Sequence, residues 1–252
     1  MLSNTIRNTT SSQRGKGFSI ANSFLLDGVD EKFNLGTQAN WTNYVAGQKQ
    51  FSVFFMIKRV NTGGALVTSL AGQYGSSGSR AFRFTIFNDM INMGVFDSTN
   101  SGGFMNGSTV LNSTSLWYGI TYTYDYSQAL GSRGKIYLNS VEETLASETL
   151  KSDIKIQTLG VELGKSETNY GNIYISSGGL VNRVATQTEI TNWYNNGKPK
   201  NLIDVFGTDC KDSINPDTSG NTAQFTMNDG TNPATWTSVN LEDIDKTTIT
   251  PY

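Results

Sequence analysis

Apolar residues recur at every second position over short runs, and Gly, Asn, Ser or Asp punctuates those runs, a pattern that predicts β-strands rather than helices. In Phe51-Ser-Val-Phe-Phe-Met-Ile-Lys58 one face carries Phe51, Val53, Phe55 and Ile57, and the other carries Ser52, Phe54, Met56 and Lys58. Both faces are largely apolar, which predicts a central strand. Residues 81–88 alternate Phe82, Phe84 and Ile86 with Arg83 and Thr85, and residues 90–96 alternate Ile91, Met93 and Val95 with Asn92 and Gly94. Asn88-Asp89 between them is a two-residue hairpin signal. Residues 117–124 set Tyr118, Ile120, Tyr122 and Tyr124 on one face, and residues 134–139 read as the hairpin partner. Residues 159–163 and 172–176 supply two further short strands beside turns rich in Gly, Ser and Asn.

One helix interrupts the strands. Thr186-Gln-Thr-Glu189 fits a capping box, and Ile190, Trp193 and Tyr194 then share a helical face. Asn195-Asn196-Gly197 supplies the C-cap, and Pro199 stops continuation. Beyond it Asn215-Pro216-Asp217 and Asp229-Gly230 mark turns, with strands expected over 224–227 and 235–239. The expected division is a polar arm over 1–17, one sandwich domain over 18–197, and a C-terminal β appendage over 198–252 that extends or crosses the sandwich.

The order of these features resembles the laminin-G-like jelly rolls of the concanavalin-A-like lectin/glucanase superfamily. The resemblance rests on residues 23–36, 51–59, 117–125 and 135–139, on Leu163-Gly-Lys165, on Gly171-Asn-Ile-Tyr174 and on the helix over 188–195, and covers roughly Phe18 to Gly197. It implies an all-β, antiparallel two-sheet jelly-roll sandwich with one short helix. It does not fix a ligand, because the superfamily spans adhesins, lectins, hydrolases and virion proteins. Two departures stand out: Tyr174, Ile175 and Ser176 replace the acidic residues usual after the late Gly-x-Ile, followed by an insertion around Ser177-Gly178-Gly179, and the C-terminal appendage has no counterpart in the simple module.

Charge narrows the partners. With 19 basic and 21 acidic residues in 252, the net charge is −2, which offers no broad positive field for nucleic acid or an anionic membrane. No run approaches the length of a membrane span, and no apolar run follows the early arginine, so neither a signal peptide nor a transmembrane segment is expected. The single cysteine, Cys210, cannot form an internal disulfide and reads as a buried thiol. The chain has no histidine, which excludes Ser-His-Asp and Cys-His catalysis and histidine-based zinc sites.

Catalysis of the glucanase type needs two carboxylates on one face of a strand. The nearest run, Glu242-Asp243-Ile244-Asp245, lacks the third carboxylate of an alternating Glu-x-Asp-x-Glu-like run and reads as a solvated acidic patch, which leaves a glycoside hydrolase as a remote reading. No cofactor is expected beyond calcium, for which Asp27, Asp30, Asp97 and Asp125 at strand ends are candidate ligands; the competing reading is that they form turns. Trp41, Tyr44 and Tyr74 lie in polar stretches and are candidate glycan-stacking rings, or else lids over a sandwich end. Asn-x-Ser/Thr triplets at Asn8, Asn40, Asn106 and Asn112 are chance matches in so Asn-, Ser- and Thr-rich a chain. The polar ends give the chain a further resemblance to bacteriophage head-fibre, decoration or tail-associated proteins. On that reading it is a non-enzymatic structural component at the virion surface. It would pack against other virion proteins and against copies of itself through an arm bearing Leu2, Ile6, Arg7, Arg14 and Lys16. The alternative is an adhesin module that binds cell-surface glycans.

Overall fold

The structure, a computed structural model, describes residues 11–12, 19–20, 23–28, 32–34, 40–63, 67–76, 78–216, 222–228 and 233–240. The first strands are β1 (Ser11–Ser12), β2 (Ser19–Ile20), β3 (Phe24–Asp27), β4 (Phe33–Asn34), β5 (Gln50–Arg59), β6 (Val67–Tyr74) and β7 (Arg80–Phe87). They are followed by β8 (Met90–Phe96), β9 (Gly102–Val110), β10 (Trp117–Asp125), β11 (Gly134–Leu138), β12 (Val141–Glu142), β13 (Leu145–Glu148) and β14 (Glu162–Leu163). The last are β15 (Lys165–Ser166), β16 (Asn169–Tyr170), β17 (Asn172–Val181), β18 (Cys210–Pro216), β19 (Thr222–Asn228) and β20 (Pro233–Asn240).

Two antiparallel sheets face each other. One has nine strands in the order β12-β11-β10-β5-β17-β18-β19-β20, with β3 also paired to β17; the other has seven, in the order β13-β9-β8-β7-β6-β14-β4. Alternation along each strand explains the core. Phe51, Val53, Phe55 and Ile57 of β5 meet Tyr118, Ile120, Tyr122 and Tyr124 of β10 side by side and pack against Phe82, Phe84, Ile86, Ile91, Met93 and Val95 of the opposite sheet. The hairpin between β7 and β8 turns at Asn88 and Asp89, both in the left-handed region (φ 50° and 60°), as a tight two-residue connection requires.

The other face of β5 is covered at one end by helices. Helix α1 (Gln187–Tyr194) carries the full capping box between Thr186 and Glu189 and ends on Asn195 at φ 45°. Its Ile190 and Trp193, with Leu202 and Phe206 of α2 (Leu202–Phe206), close over Phe54 and Met56. The helix content therefore exceeds the one helix expected: besides α2, a π-helical segment runs from Trp41 to Gln48 and buries Trp41, Val45 and Ala46.

The insertion around 177–179 lies within a strand, and the turn expected at Asn215-Pro216 is corrected. Residues 177–179 belong to β17, where Gly178 and Gly179 continue the pairing with β5 and β18 past a bulge. A Cβ on Gly178 would lie 2.3 Å from the Phe54 carbonyl oxygen, and one on Gly179, at φ 142°, 2.0 Å from that of Asp212. The glycines thus mark crowded backbones rather than a loop. Asn215 and Pro216 likewise pair with Gln224 and Ala223, so β18 is still extended there.

Asp212 on β18 is buried, and its Oδ1 accepts a 3.0 Å hydrogen bond from Asn40 Nδ2 while Oδ2 has no partner among the described residues. Burial raises its pKa to about 7, against the opposing pull of its hydrogen bonds. The folded carboxyl holds its proton more tightly than the unfolded one, whose pKa is about 3.9, so ionisation opposes folding. Stability should be full in acid and fall as pH rises through about 7. The melting temperature is expected to be lower at pH 8 than at pH 5, and Asp212→Asn should flatten that difference; an equal slope in the variant would assign it to another group.

Candidate functional site

With Phe82, Phe84 and Ile86 turned inward, alternation sends Arg83, Thr85 and Phe87 to the outer face of the seven-stranded sheet. Cross-strand register organises that face into rows. One row is polar: Ser69 lies opposite Thr85, Thr85 opposite Asn92, and Asn106 opposite both Asn92 and Ser147. Its side chains bond along the row, Thr85 Oγ1 to Asn92 Oδ1 at 3.1 Å, Asn92 Nδ2 to Asn106 Oδ1 at 2.6 Å and Asn106 Nδ2 to Ser147 Oγ at 2.8 Å. On one side of it runs an apolar row, Val67, Phe87, Met90 and Val110, of which Phe87 and Val110 are exposed.

On the other side lies a cluster of cations and rings. Arg83 is flanked by Gly72 and Gly94, and Gly94 faces Phe104. A Cβ on Gly94 would stand 3.0 Å from the Phe104 ring and 3.3 Å from Arg83 Cγ, so the missing side chain lets both lie down across the sheet. The Arg83 guanidinium sits 5.1 Å from the centroid of Tyr74 and 5.3 Å from that of Phe104. Arg80 lies 4.8 Å from Tyr74 and 5.8 Å from Phe96. Tyr74 and Phe104 each pack edge-on against Phe96, at 5.2 and 5.8 Å.

The two arginines differ in their partners. Arg80 pairs with Glu167 at 3.5 Å. Arg83 makes no ion pair or side-chain hydrogen bond among the described residues, and its Nε is buried without a partner. Burial lowers the pKa of Arg83, as does the like charge of Arg80, while Tyr74 and Glu167 pull the other way. A guanidinium stays charged under such shifts, so Arg83 is a half-buried cation held between two rings with donors to spare.

The expected site residues are dispersed. Tyr74 is in this cluster, but two guanidiniums already lie over its ring, so it orients cations rather than offering a bare platform. Trp41 is 1 % exposed and stacks on Phe82 in the core, which corrects the expectation of a ring in a polar loop. Tyr44 is half-buried on the same helical segment, under Lys211 at 5.4 Å. Asp97 accepts from Thr99 and Ser101 and faces Lys151 at 3.7 Å, and Asp125 accepts from Gln50, Ser127 and Gln128. Burial raises the Asp125 pKa, but those hydrogen bonds outweigh it and bring it down to about 2. Both carboxylates are built into turns, and no cluster of three or more metal-ligating side chains occurs among the described residues. Asp30, the side chain of Asp27, the arm residues Leu2, Ile6, Arg7, Arg14 and Lys16, and the run 242–245 lie outside the described residues. Cys210 is buried, with its thiol pKa pushed up to about 12 by that burial. A shallow groove along α1, lined by Gln187, Thr188, Glu189, Thr191 and Asn192, has no ring, and its one charge, Glu189, is paired with Arg183. No helix among the described residues is long and apolar enough to cross a membrane.

No protein-family model and no curated protein sequence matches the chain. Solved structures do match its fold. The receptor-binding domain of the botulinum neurotoxin C/D mosaic serotype superposes with a TM-score of 0.55 at 15 % identity, over 82 % of this chain and 53 % of that one. A botulinum neurotoxin type C structure, concerned with cell entry dependent upon two ganglioside molecules, gives 0.52 at 14 % identity, over 69 % and 42 %. The Ruminococcus gnavus IT-sialidase CBM40 bound to α2,3 sialyllactose gives 0.50 at 13 % identity, over 67 % and 94 %. The chain thus spans about half the length of the neurotoxin structures it matches. At these identities the likeness defines the fold: this is a lectin-like β-sandwich, an architecture used by carbohydrate-binding and receptor-binding domains.

Proposed function

We propose that the chain is a non-enzymatic carbohydrate-binding module that takes acidic glycans on the outer face of its seven-stranded sheet. The carrying observation is the unpaired Arg83 guanidinium held between Tyr74 and Phe104. Its planar fork matches a sugar carboxylate in two parallel hydrogen bonds. The half-exposed amide of Asn106, braced from beneath by the buried Asn92 and Thr85, suits a sugar hydroxyl, and the rings hold the guanidinium in place. Structural neighbours that bind sialyllactose or depend on gangliosides support the same ligand class. They favour the adhesin-type reading over the virion one, whose proposed contacts rest on an arm outside the described residues.

Calorimetric titration tests this. The protein should bind α2,3-sialyllactose and not lactose, and Arg83→Met should weaken binding about tenfold or more, the usual scale for losing a charged hydrogen-bond pair. Equal affinity for lactose, or an unaltered Arg83→Met variant, would remove the carboxylate from the site.

A further inference from the structure

A second cation–aromatic array lies on the opposite side of the molecule. Since Phe51, Val53, Phe55 and Ile57 point inward, Lys58 of β5 points outward on the nine-stranded sheet. Register places Trp117 of β10 opposite it on one side, Tyr174 of β17 on the other, and Leu25 of β3 beyond Tyr174. All four are half-exposed, because α1 and α2 cover the other end of this face, over Phe54 and Met56. Lys58 Nζ lies 5.8 Å from the Trp117 ring centroid and 4.4 Å from that of Tyr174. It forms no ion pair or hydrogen bond among the described residues, and burial lowers its pKa.

We propose that this row is a separate binding site for a linear acidic polysaccharide, in which Lys58, a single cation on a flexible stem, swings off the rings to receive the carboxylate of a uronate and so frees Trp117 and Tyr174 to stack on the neutral sugars on either side. The strands carrying the two rings are two strand spacings apart, about 10 Å. That is the length of a disaccharide repeat in an extended chain, so rings at this separation address alternate sugars while the lysine addresses the one between. Aromatic faces accept the apolar C–H faces of the sugars, and the ammonium supplies three donors to a carboxylate. One cation between two rings matches one charge per disaccharide. A densely charged polyanion would need a cluster of cations, and a chain of net charge −2 offers no such field. The site shares no residue with the Arg83 cluster.

The test uses the full chain and a hyaluronan octasaccharide. The octasaccharide should bind and carboxyl-reduced hyaluronan should not. Lys58→Met, which keeps the aliphatic stem, and Tyr174→Ala should each weaken binding about tenfold, whereas Arg83→Met should leave it unchanged. Thermal melts of both variants establish that they are folded, and Lys58→Met alone decides the matter if Tyr174→Ala melts early. No binding of the octasaccharide, equal binding of the carboxyl-reduced form, wild-type affinity in Lys58→Met, or binding of heparin in its place would overturn the proposal. Loss of sialyllactose binding with hyaluronan binding retained would strike only the Arg83 site.

Discussion

Replacing Asp89 with glycine is expected to lower the unfolding free energy by about 3–5 kcal/mol, the range for stripping one partner from a buried ion pair. Arg59 is the last residue of β5 and continues its inward face, so a guanidinium only 1 % exposed stands at one end of the core. Its Nη1 donates to Asp89 Oδ1 and to the Leu111 carbonyl, both at 2.6 Å, and thereby ties the nine-stranded sheet to the β7–β8 hairpin of the other. Without Asp89 that cation stays buried with only the carbonyl to face, since Nε and Nη2 have no partner among the described residues. Glycine is the informative replacement because residue 89 has φ 60°, which glycine adopts without strain, so the turn's backbone is kept and the loss is that of the carboxylate with its bonds to Arg59 and the Gly63 amide. The double variant Arg59→Met with Asp89→Gly should recover most of the loss, since no buried charge is then left without its partner. Burial raises the Asp89 pKa, but hydrogen bonds from Arg59 and the Gly63 amide outweigh it and hold it below the usual carboxylate value. The contribution is therefore complete at neutral pH and disappears as pH falls through that depressed value. Urea denaturation of the three proteins reads all of this, and a wild-type midpoint for Asp89→Gly would show that the pair does not hold the sheets together.

Trp193→Ala should cost about 3 kcal/mol, at the low end for deleting a large buried aromatic ring. The indole is 1 % exposed and packs edge-on against Phe54 at 4.9 Å, and Phe206 packs against the same ring at 5.2 Å. Its Nε1 has no partner among the described residues, so the substitution removes packing without breaking a hydrogen bond. An eight-residue helix cannot stand alone in water, and α1 depends on this contact more than on its capping box. Trp193→Phe should recover part of the loss. An unshifted denaturation midpoint for Trp193→Ala would mean that something else docks the helix.

The parts of the fold that were legible in the sequence are the short runs where apolar residues dominate at least one face, on both faces in β5 and on one in most others. Residues 90–96 and 117–124 alternate cleanly, and β8 and β10 match them to within a residue. Strands β6 and β9 escaped because Ser69, Gly72 and Gln73, or Gly102, Gly103, Asn106 and Gly107, dilute the apolar signal to almost nothing. The helical segment at Trp41 did leave a trace, since Trp41 and Val45 stand one turn apart and both are buried, but Asn, Thr and Gly around them read as loop. The binding face was half legible. Alternation marks Arg83 as outward-facing, yet its neighbours come from β6 and β9 through a register that pairs residues far apart in the chain. Only Tyr74 among the expected rings joins it, and there it serves the arginines.

The two cation–aromatic arrays lie back to back across a two-layer sandwich. No flat surface can touch both at once, so a copy adsorbed through one array presents the other to solution. Coating a surface with the protein would therefore change what that surface attracts, and mixing it with long soluble chains of both kinds would join them into a network that scatters light.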